Sequence, residues 1–581
     1  MEYPLDGYWL PKSIREQVLK SNPDIKYLSF AQGQPTEMGM PGVVTACWPV
    51  FRSGEWKEIV LALRENSRRV PEGEEYWERL LSALGEVGQR LSRPGNPLRE
   101  VLLEALPGYT GFSKSMIGFS LHALDLMSPG RIQKAFLSNL NRNISHKWGQ
   151  ISGLPGWFQF HPCQRAWTKI GDWVALKKNA PLYGDKEPLN MILGYGAGNV
   201  PGTALMISLL AQSTILAGNQ PPVVVIKNSR REPIFSPLIL NALEEIDNDL
   251  FQNVAILVWD YDELDLQEWL LLQSDLVIAA ASDETITKIS HQIQGVAQKK
   301  LKTPPTNNNP RTIRLHAHGH KVSFSAISRD CLVRGLTDPD SNDPVIKIIA
   351  LLAGLDSILW DQFGCLSSRI HFVEEGGEGY HTALDYASDL YDQMRLLSEF
   401  LPRGSFPRQR LNASFDKYKL LETTGLVKVL SKYQDDFLVA LDRRPFDPNV
   451  FALMVNDCLG RVLIVKPVSD MMELPDQYLP SIPATNLQSL SVAFRTSGDG
   501  KWGNFLKFAE ACGRRGITAI RTAGRGAFPQ LAYSWDGLIP MDLIYNRPEG
   551  HFTSIEFSEP YPEIIRTYQT LKSIYTSQIN Q

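Results

Sequence analysis

One thiol in this chain is set up for acyl chemistry. Cys365 sits in Asp361-Gln362-Phe363-Gly364-Cys365-Leu366-Ser367, just past an apolar segment from Ile346 to Trp360. A cysteine beside a glycine at a helix-to-loop junction can be approached closely by a flat acyl carbon. Its thiolate is a strong nucleophile toward carbonyls and a good leaving group. Upstream lies Gly196-Ala197-Gly198-Asn199-Val200-Pro201-Gly202, between two apolar runs. Glycines there let backbone approach a ligand, and a following helix N-terminus favours negative charge. The Asn199 carboxamide is the kind of donor that an oxyanion needs. The loop is neither G-x-G-x-x-G nor a P-loop, and by itself it reads equally well as a tight turn. Together the two signals point to acyl-thioester chemistry coupled to a nucleotide cofactor.

Three further clusters bear on that cofactor. The apolar run Val223-Val224-Val225-Ile226 ends in Lys227-Asn228-Ser229-Arg230-Arg231. Sites that take an unphosphorylated ribose usually place a carboxylate near such a strand end. Basic side chains there favour a 2′-phosphate, hence NADPH; the alternative is a solvated basic strand end. In Asp275-Leu276-Val277-Ile278-Ala279-Ala280-Ala281-Ser282-Asp283-Glu284-Thr285, a strand runs into small residues and a capped helix start. Ser282 and the backbone N–H groups after it, with Thr285 in the same turn, could hold a pyrophosphate, or Ser282 caps the helix and no more. His316-Ala317-His318-Gly319-His320 would place three imidazoles on one face of a strand. No carboxylate or cysteine nearby in sequence completes a zinc shell. The expectation is no metal, and a structural or positioning role at least for His320.

The elements that must hold these groups alternate between Leu189 and Ser290. Strands are expected at 189–193, 223–226, 254–259 and 276–280, and helices at 203–216, 236–246, 266–272 and 283–293. Short apolar strands between helices imply a parallel sheet covered on both faces, with ligands at the carboxyl ends of its strands. A second α/β segment carries the cysteine, with strands expected at 321–327, 370–373, 437–441, 461–465 and 487–493, and near 517–520. The expected organisation is an irregular N-terminal arm over 1–50, a helical region over 51–150 and a dinucleotide-binding α/β domain over 151–310. A catalytic α/β domain follows over 311–485. The segment 486–581 returns to the cofactor domain or to an oligomer interface. Lys302 to Pro310 reads as a turn-rich linker.

Composition narrows the class. The 581 residues are 43% hydrophobic and 21% charged, with a net charge of −4. That is a globular composition with no basic field for nucleic acid or anionic lipid. Six cysteines, at 47, 163, 331, 365, 458 and 512, form no C-x-x-C pair, which fits free thiols in a reducing, cytoplasmic compartment. The opening Met1-Glu2-Tyr3-Pro4-Leu5-Asp6 lacks the basic-then-apolar pattern of a signal peptide. Leu189 to Ala217 is long and apolar, but Gly194, Gly196, Gly198, Pro201 and Gly202 break it, so no membrane span is expected.

Several of these motifs resemble, in order, those of acyl-CoA reductases of the bacterial bioluminescence fatty-acid reductase type, a branch of the aldehyde dehydrogenase superfamily. They are Gly198-Asn199-Val200-Pro201-Gly202, Ser282-Asp283-Glu284-Thr285-Ile286, Gly319-His320-Lys321-Val322-Ser323-Phe324, Gly364-Cys365-Leu366-Ser367 and Val373-Glu374-Glu375-Gly376-Gly377. Weaker echoes are Gly524-Arg525 and Trp535-Asp536-Gly537, and the likeness spans roughly residues 55 to 550. The chain departs from the pattern at Phe363, at Ser368-Arg369, at Gln220-Pro221-Pro222 and in residues 1–50.

The resemblance implies an aldehyde-dehydrogenase-like α/β fold: two parallel-sheet domains, cofactor and catalytic, with an N-terminal helical layer. It implies Cys365 as nucleophile and Asn199 as oxyanion donor. Lys227, with Ser229 and Arg230, would meet the adenosine ribose or its phosphate, and Ser282, with Thr285, the pyrophosphate. His320 would stand where oxidising relatives carry a water-activating glutamate, a replacement that protects a thioester from hydrolysis. The implied activity is NADPH-dependent reduction of an acyl thioester to an aldehyde. The thioester would be carried by coenzyme A or by an acyl or peptidyl carrier protein, and the enzyme would be a homo-oligomer. The competing readings are a CoA-acylating aldehyde dehydrogenase running in the oxidative direction, and a non-catalytic acyl- or carrier-binding protein.

Overall fold

The computed structural model describes residues 4–36, 43–70, 74–123, 146–147, 156–161, 166–170, 189–217, 220–302, 313–338, 342–495, 501–526, 536–537 and 553–557. Cys163, the linker beyond Lys302 and the tract 124–145 lie outside them. The described residues form two compact units. The first takes those of 1–140 and 177–320, the second those of 141–176, 321–539 and 549–581.

The first unit opens with β1 (Leu5–Asp6), β2 (Asp24–Ala31), β3 (Gln34–Thr36) and β4 (Val44–Val50), in the sheet order β1-β4-β2-β3. An ordered sheet thus stands where the sequence reads as an irregular arm. Val44, Ala46 and Trp48 alternate inward along β4, a short period easily lost among scattered Pro and Gly. Helices Ser53–Arg69, Glu74–Ser92, Pro97–Thr110 and Lys114–Ala123 supply the expected helical layer. Strands β5 (His146–Lys147), β6 (Gly156–His161) and β7 (Ala166–Ile170) go to the second unit.

The main sheet of the first unit comprises β8 (Met191–Tyr195), β9 (Val223–Lys227), β10 (Val254–Leu257), β11 (Leu276–Ala280) and β12 (Arg314–His318), all parallel, in the order β10-β9-β8-β11-β12. Every residue of β8, β9, β10 and β11 is buried, because helices cover both faces of such a sheet. The chain winds outward from β8 in one direction and resumes at β11 in the other. The boundary between β8 and β11 is therefore the topological switch point, where open α/β sheets leave a crevice for ligand. At the outer edge, Trp9 exchanges backbone hydrogen bonds with Ile256 at 2.7 and 2.9 Å.

The second unit holds β13 (Val322–Ile327), β14 (Ser368–Glu374), β15 (Val427–Val429), β16 (Leu438–Asp442), β17 (Val462–Val468), β18 (Leu487–Ala493), β19 (Ala519–Thr522) and β20 (Thr553–Phe557). With β5–β7 they make one sheet, in the order β15-β16-β17-β14-β13-β18-β19-β20-β6-β7-β5. The stretch from β16 to β20 is parallel; β15 and β6 each pair antiparallel at either end of it. One face packs an aromatic core of Phe324, Phe372, Phe451 and Tyr478. Helix Val345–Ile358, whose described core-facing residues include Ile349, Leu352 and Ile358, leads directly to the thiol.

Candidate active site

The cofactor candidates gather at the carboxyl ends of the first unit's strands. The glycine loop leaves β8 beside the end of β11, across the switch point. A Cβ at Gly198 would lie 2.2 Å from Ser229 Oγ and 2.9 Å from Arg231 Cβ, so this glycine lets the loop pack on the turn after β9. At Gly196 the nearest atom to an added Cβ is 3.6 Å away. Helix Thr203–Gln212 starts on Gly202, at φ 99°, and the Leu205 N–H in its first turn donates to Ser236 Oγ at 3.2 Å. Close backbone approach and an N-terminal dipole suit a phosphate group. Asn199 is exposed on this loop.

Beneath the loop, Glu232 is buried, and its Oε1 accepts from the N–H of Phe235 at 2.7 Å and of Ile234 at 3.2 Å. Burial pushes its carboxyl up to about 8, against the pull of the Phe235, Ile234 and Gly202 backbone N–H groups. Folded protein keeps this proton up to about pH 8, whereas the unfolded chain releases it near the ordinary 4.5. The contribution to stability is therefore whole below about pH 4.5 and is lost as pH rises toward 8, at ~1.4 kcal/mol per pH unit. Glu232→Gln is expected to flatten that decline and to raise the urea midpoint at pH 8, read by circular dichroism. An unchanged slope would mean that the carboxyl is already ionised in the folded state.

Lys227 ends β9, but its position differs from that of a solvated strand end. It is buried, and its Nζ donates to the Trp259 carbonyl at 2.5 Å and lies 3.9 Å from the centre of the Tyr261 ring. Burial, then the Arg230 charge, pulls its ammonium down to about 7, with Glu263 and Asp262 opposing. Arg230 is exposed and paired with Asp260, which also accepts from Lys26 at 2.8 Å. Ser229 Oγ accepts from the Arg231 N–H at 3.2 Å.

On the other side of the switch point, Ser282 Oγ accepts from the Thr285 N–H at 3.3 Å and lies 3.0 Å from Thr285 Oγ1. That is a helix cap, with Ser282 exposed and Thr285 half-buried. His316 and His318 do share β12; His316 is buried, His318 half-buried and His320 exposed beyond the strand. Asp283 Oδ1 accepts from the His320 N–H at 2.7 Å, and a Cβ at Gly319 would lie 2.2 Å from the same oxygen. Asp283 thus brings His320 to the Ser282 turn. Among the described residues, no three His, Cys, Asp or Glu side chains are grouped to hold a metal ion.

Cys365 lies in the second unit, beyond the amino end of β14, and is half-buried. Cys331, Cys458 and Cys512 are buried, and burial pushes all three thiols well up. Cys47 is half-buried too, but burial and the Asp6 carboxylate push it up to about 11. The backbone at Cys365 is anchored: Ser323 Oγ donates to its carbonyl at 2.7 Å, and Ser489 Oγ donates to Ser323 Oγ at 2.8 Å. Those serines start β13 and β18, so three adjacent strands converge on the thiol loop. Arg369 is buried four residues on; burial pulls its guanidinium down to about 10, and the sulfurs of Cys458 and Cys365 draw it back up.

The turn before the thiol is held in an unusual shape. Trp360, Asp361 and Gln362 have φ of 56°, 47° and 66°, a left-handed run that costs about 1–3 kcal/mol per non-glycine residue. Asp361 Oδ1 meets Arg461 Nε at 2.5 Å with both side chains fully buried, and Asp361 Oδ2 accepts from the Gly404 N–H at 3.0 Å. Sequence reasoning passed over Arg461, as it did Ser489; neither belongs to a motif, and each becomes relevant only once strands pair. Glu374 ends β14, accepting from Arg329 Nη2 at 2.6 Å and from the Arg329 N–H at 3.0 Å. Burial alone would raise its carboxyl, but these bonds hold it below the usual value.

Comparison with known proteins agrees with this architecture. A family model described as Acyl-CoA reductase (LuxC) matches residues 173–546. A search of curated protein sequences finds no match. Aldehyde dehydrogenase 21 from Physcomitrella patens, in complex with succinate, is 12% identical with a TM-score of 0.51, covering 91% of this chain and 97% of that one. 1-Pyrroline-5-carboxylate dehydrogenase from Thermus, with bound NAD, is 12% identical with a TM-score of 0.50, covering 94% and 95%. These likenesses show the aldehyde dehydrogenase fold. No helix among the described residues is long and apolar enough to cross a membrane. The family match spans both the glycine loop and the thiol turn, and the chain belongs to the LuxC acyl-CoA reductase family, as an aldehyde-related oxidoreductase.

Proposed function

We propose that this protein is an NADPH-dependent reductase that converts an acyl thioester to an aldehyde through a covalent thioester on Cys365. The observation that supports this most is the state of that cysteine. It is half-exposed in a rigid, hydrogen-bonded turn, while the other described thiols are buried or pushed up in pKa. The thiolate attacks the acyl carbon, the bond to the carrier sulfur breaks, and the carrier leaves as a thiol after taking a proton. Asn199 and the Cys365 N–H are the proposed donors to the tetrahedral oxyanion. A nicotinamide held at the switch-point loop would supply the hydride that takes the acyl carbon to the aldehyde level. Breakage of the bond to Cys365 then returns the thiolate. His320, exposed beyond β12, holds the geometry of this region or supplies a proton.

The switch-point loop, the Ser282 and Thr285 cap and the Lys227, Ser229 and Arg230 turn fit a dinucleotide, and the Thermus relative holds NAD. Exposed Arg230 supports a preference for the 2′-phosphate, whereas buried Lys227 already donates to the Trp259 carbonyl. The expected result is a higher kcat/KM for NADPH than for NADH, narrowed by Arg230→Ala; equal use of both cofactors would remove the assignment. The acyl donor is acyl-CoA or an acyl or peptidyl carrier protein, and the enzyme works as a homo-oligomer in the cytoplasm.

The deciding experiment is intact-protein mass spectrometry after incubation with a panel of acyl thioesters and no cofactor. An adduct on Cys365 names both nucleophile and preferred acyl group, and its absence across the panel would sink the mechanism. In turnover, Asn199→Ala is expected to lower kcat about 10²–10³-fold, the usual cost of one oxyanion donor. A wild-type kcat in that variant would move the oxyanion site elsewhere.

A further inference from the structure

We propose that Asp361, Gln362 and Arg461 form a clamp that fixes where the Cys365 sulfur sits before the acyl group arrives, an inference that rests on reading Cys365 as the acylated nucleophile. Two left-handed segments face each other here. Trp360, Asp361 and Gln362 form one; Gly460 and Arg461, at φ 70° and 74°, form the other. The first contains no glycine, so its shape is imposed by partners rather than permitted locally.

Those partners are specific. The Gln362 carboxamide behaves like a strand residue. Its Oε1 accepts from the Val462 N–H at 2.8 Å, and its Nε2 donates to the Val462 carbonyl at 2.9 Å and the Ser368 carbonyl at 3.1 Å. One side chain thereby bridges the starts of β17 and β14, which are neighbours in the sheet. Asp361 binds at three points: its carboxylate takes Arg461 Nε and the Gly404 N–H, and its own carbonyl accepts from the Gly460 N–H at 3.0 Å. Arg461 Nη2 continues to the Leu401 carbonyl at 2.7 Å. All three side chains are fully buried, so they have no surface on which to meet a substrate. Their effect must pass through what they hold, and the thiol follows Gln362 by three residues.

The serine pair described above grips the Cys365 carbonyl from the other side. The nucleophile is thus tethered through the turn before it and through its own peptide. A sulfur held this way is aimed rather than merely exposed. Reaction with a thioester bound in a fixed pose depends on that aim, whereas reaction with a small, freely diffusing electrophile does not. Asp361, Gln362 and Arg461 are therefore positioning residues.

The test compares two reactions of the same thiol in full-length protein. Gln362→Met keeps the volume and leaves the ion pair intact while removing all three amide bonds; Arg461→Lys keeps the charge and loses the fork. Single-turnover acylation of Cys365 by octanoyl-CoA and by tetradecanoyl-CoA is followed by intact mass, beside alkylation by iodoacetamide. In Gln362→Met, acylation is expected to slow by about 10–100-fold, with half-saturation unchanged and alkylation within about threefold of wild type. Arg461→Lys should fall between this variant and wild type, and it decides the matter alone should Gln362→Met lose its near-ultraviolet circular dichroism. Wild-type acylation in a folded variant would overturn the clamp. A parallel fall in acylation and alkylation would do the same, since it reports a buried thiol rather than a misdirected one. A wild-type Cys365 that alkylates but never acylates would overturn the nucleophile assignment itself, and that is seen before any variant is compared.

Discussion

Cys365→Ser is expected to lower aldehyde formation from an acyl thioester by at least about 10⁴-fold, as loss of a covalent nucleophile does elsewhere. A hydroxyl has too high a pKa to supply an anion without a dedicated base, and it makes a poorer leaving group from the reduced adduct. The exchange alters one atom of a half-buried side chain and leaves the Ser323 bond to the backbone carbonyl in place. The folded state should therefore be untouched, and the loss should lie in kcat, followed as aldehyde release. No other described thiol is suited to take over, because each is buried or pushed up in pKa. Activity within about tenfold of wild type would show that acyl transfer does not pass through this sulfur.

Asp361→Ala and Arg461→Ala are each expected to cost about 3–5 kcal/mol of stability, the usual price of leaving one member of a buried ion pair alone. Both side chains are fully buried at 2.5 Å. Burial lowers the Arg461 pKa, and the Asp361 charge and hydrogen bond oppose it. Exchanging both for apolar residues is not expected to restore stability. The Gly404 N–H and the Leu401 carbonyl would then lose their partners, and an unsatisfied buried group costs about 1–3 kcal/mol. Urea unfolding of the single and double variants reads the difference; a loss below about 1 kcal/mol in either single variant would contradict a dry, paired interior at this turn.

The parallel strands were legible because burial on both faces leaves an uninterrupted apolar run, as in Val223–Lys227 and Leu276–Ala280. Helices between them followed from spacing. The small N-terminal sheet was not legible: β1 and β3 have two and three residues, and β2 turns its first four outward. Where a residue falls on an element was easier to read than what surrounds it. Lys227 could be placed at a strand end, but its burial beneath Tyr261 depends on where β10 ends. Asp361 and Gln362 lay within the stretch read around the thiol, yet their partners Arg461 and Val462 are 100 residues away. Local pattern carries no information about such contacts. The histidines of β12 shared a strand as their spacing required, while their unequal burial was set by neighbouring elements.

Trp9 has a consequence for how the protein is made. It closes the outer margin of the five-stranded sheet by bonding to Ile256, and its indole is wholly enclosed. A bare strand margin recruits foreign backbone. During synthesis residue 9 leaves the ribosome long before β10 exists, so an early segment must wait for a late one. Until that stopper is seated, the nascent sheet is open to the wrong neighbour.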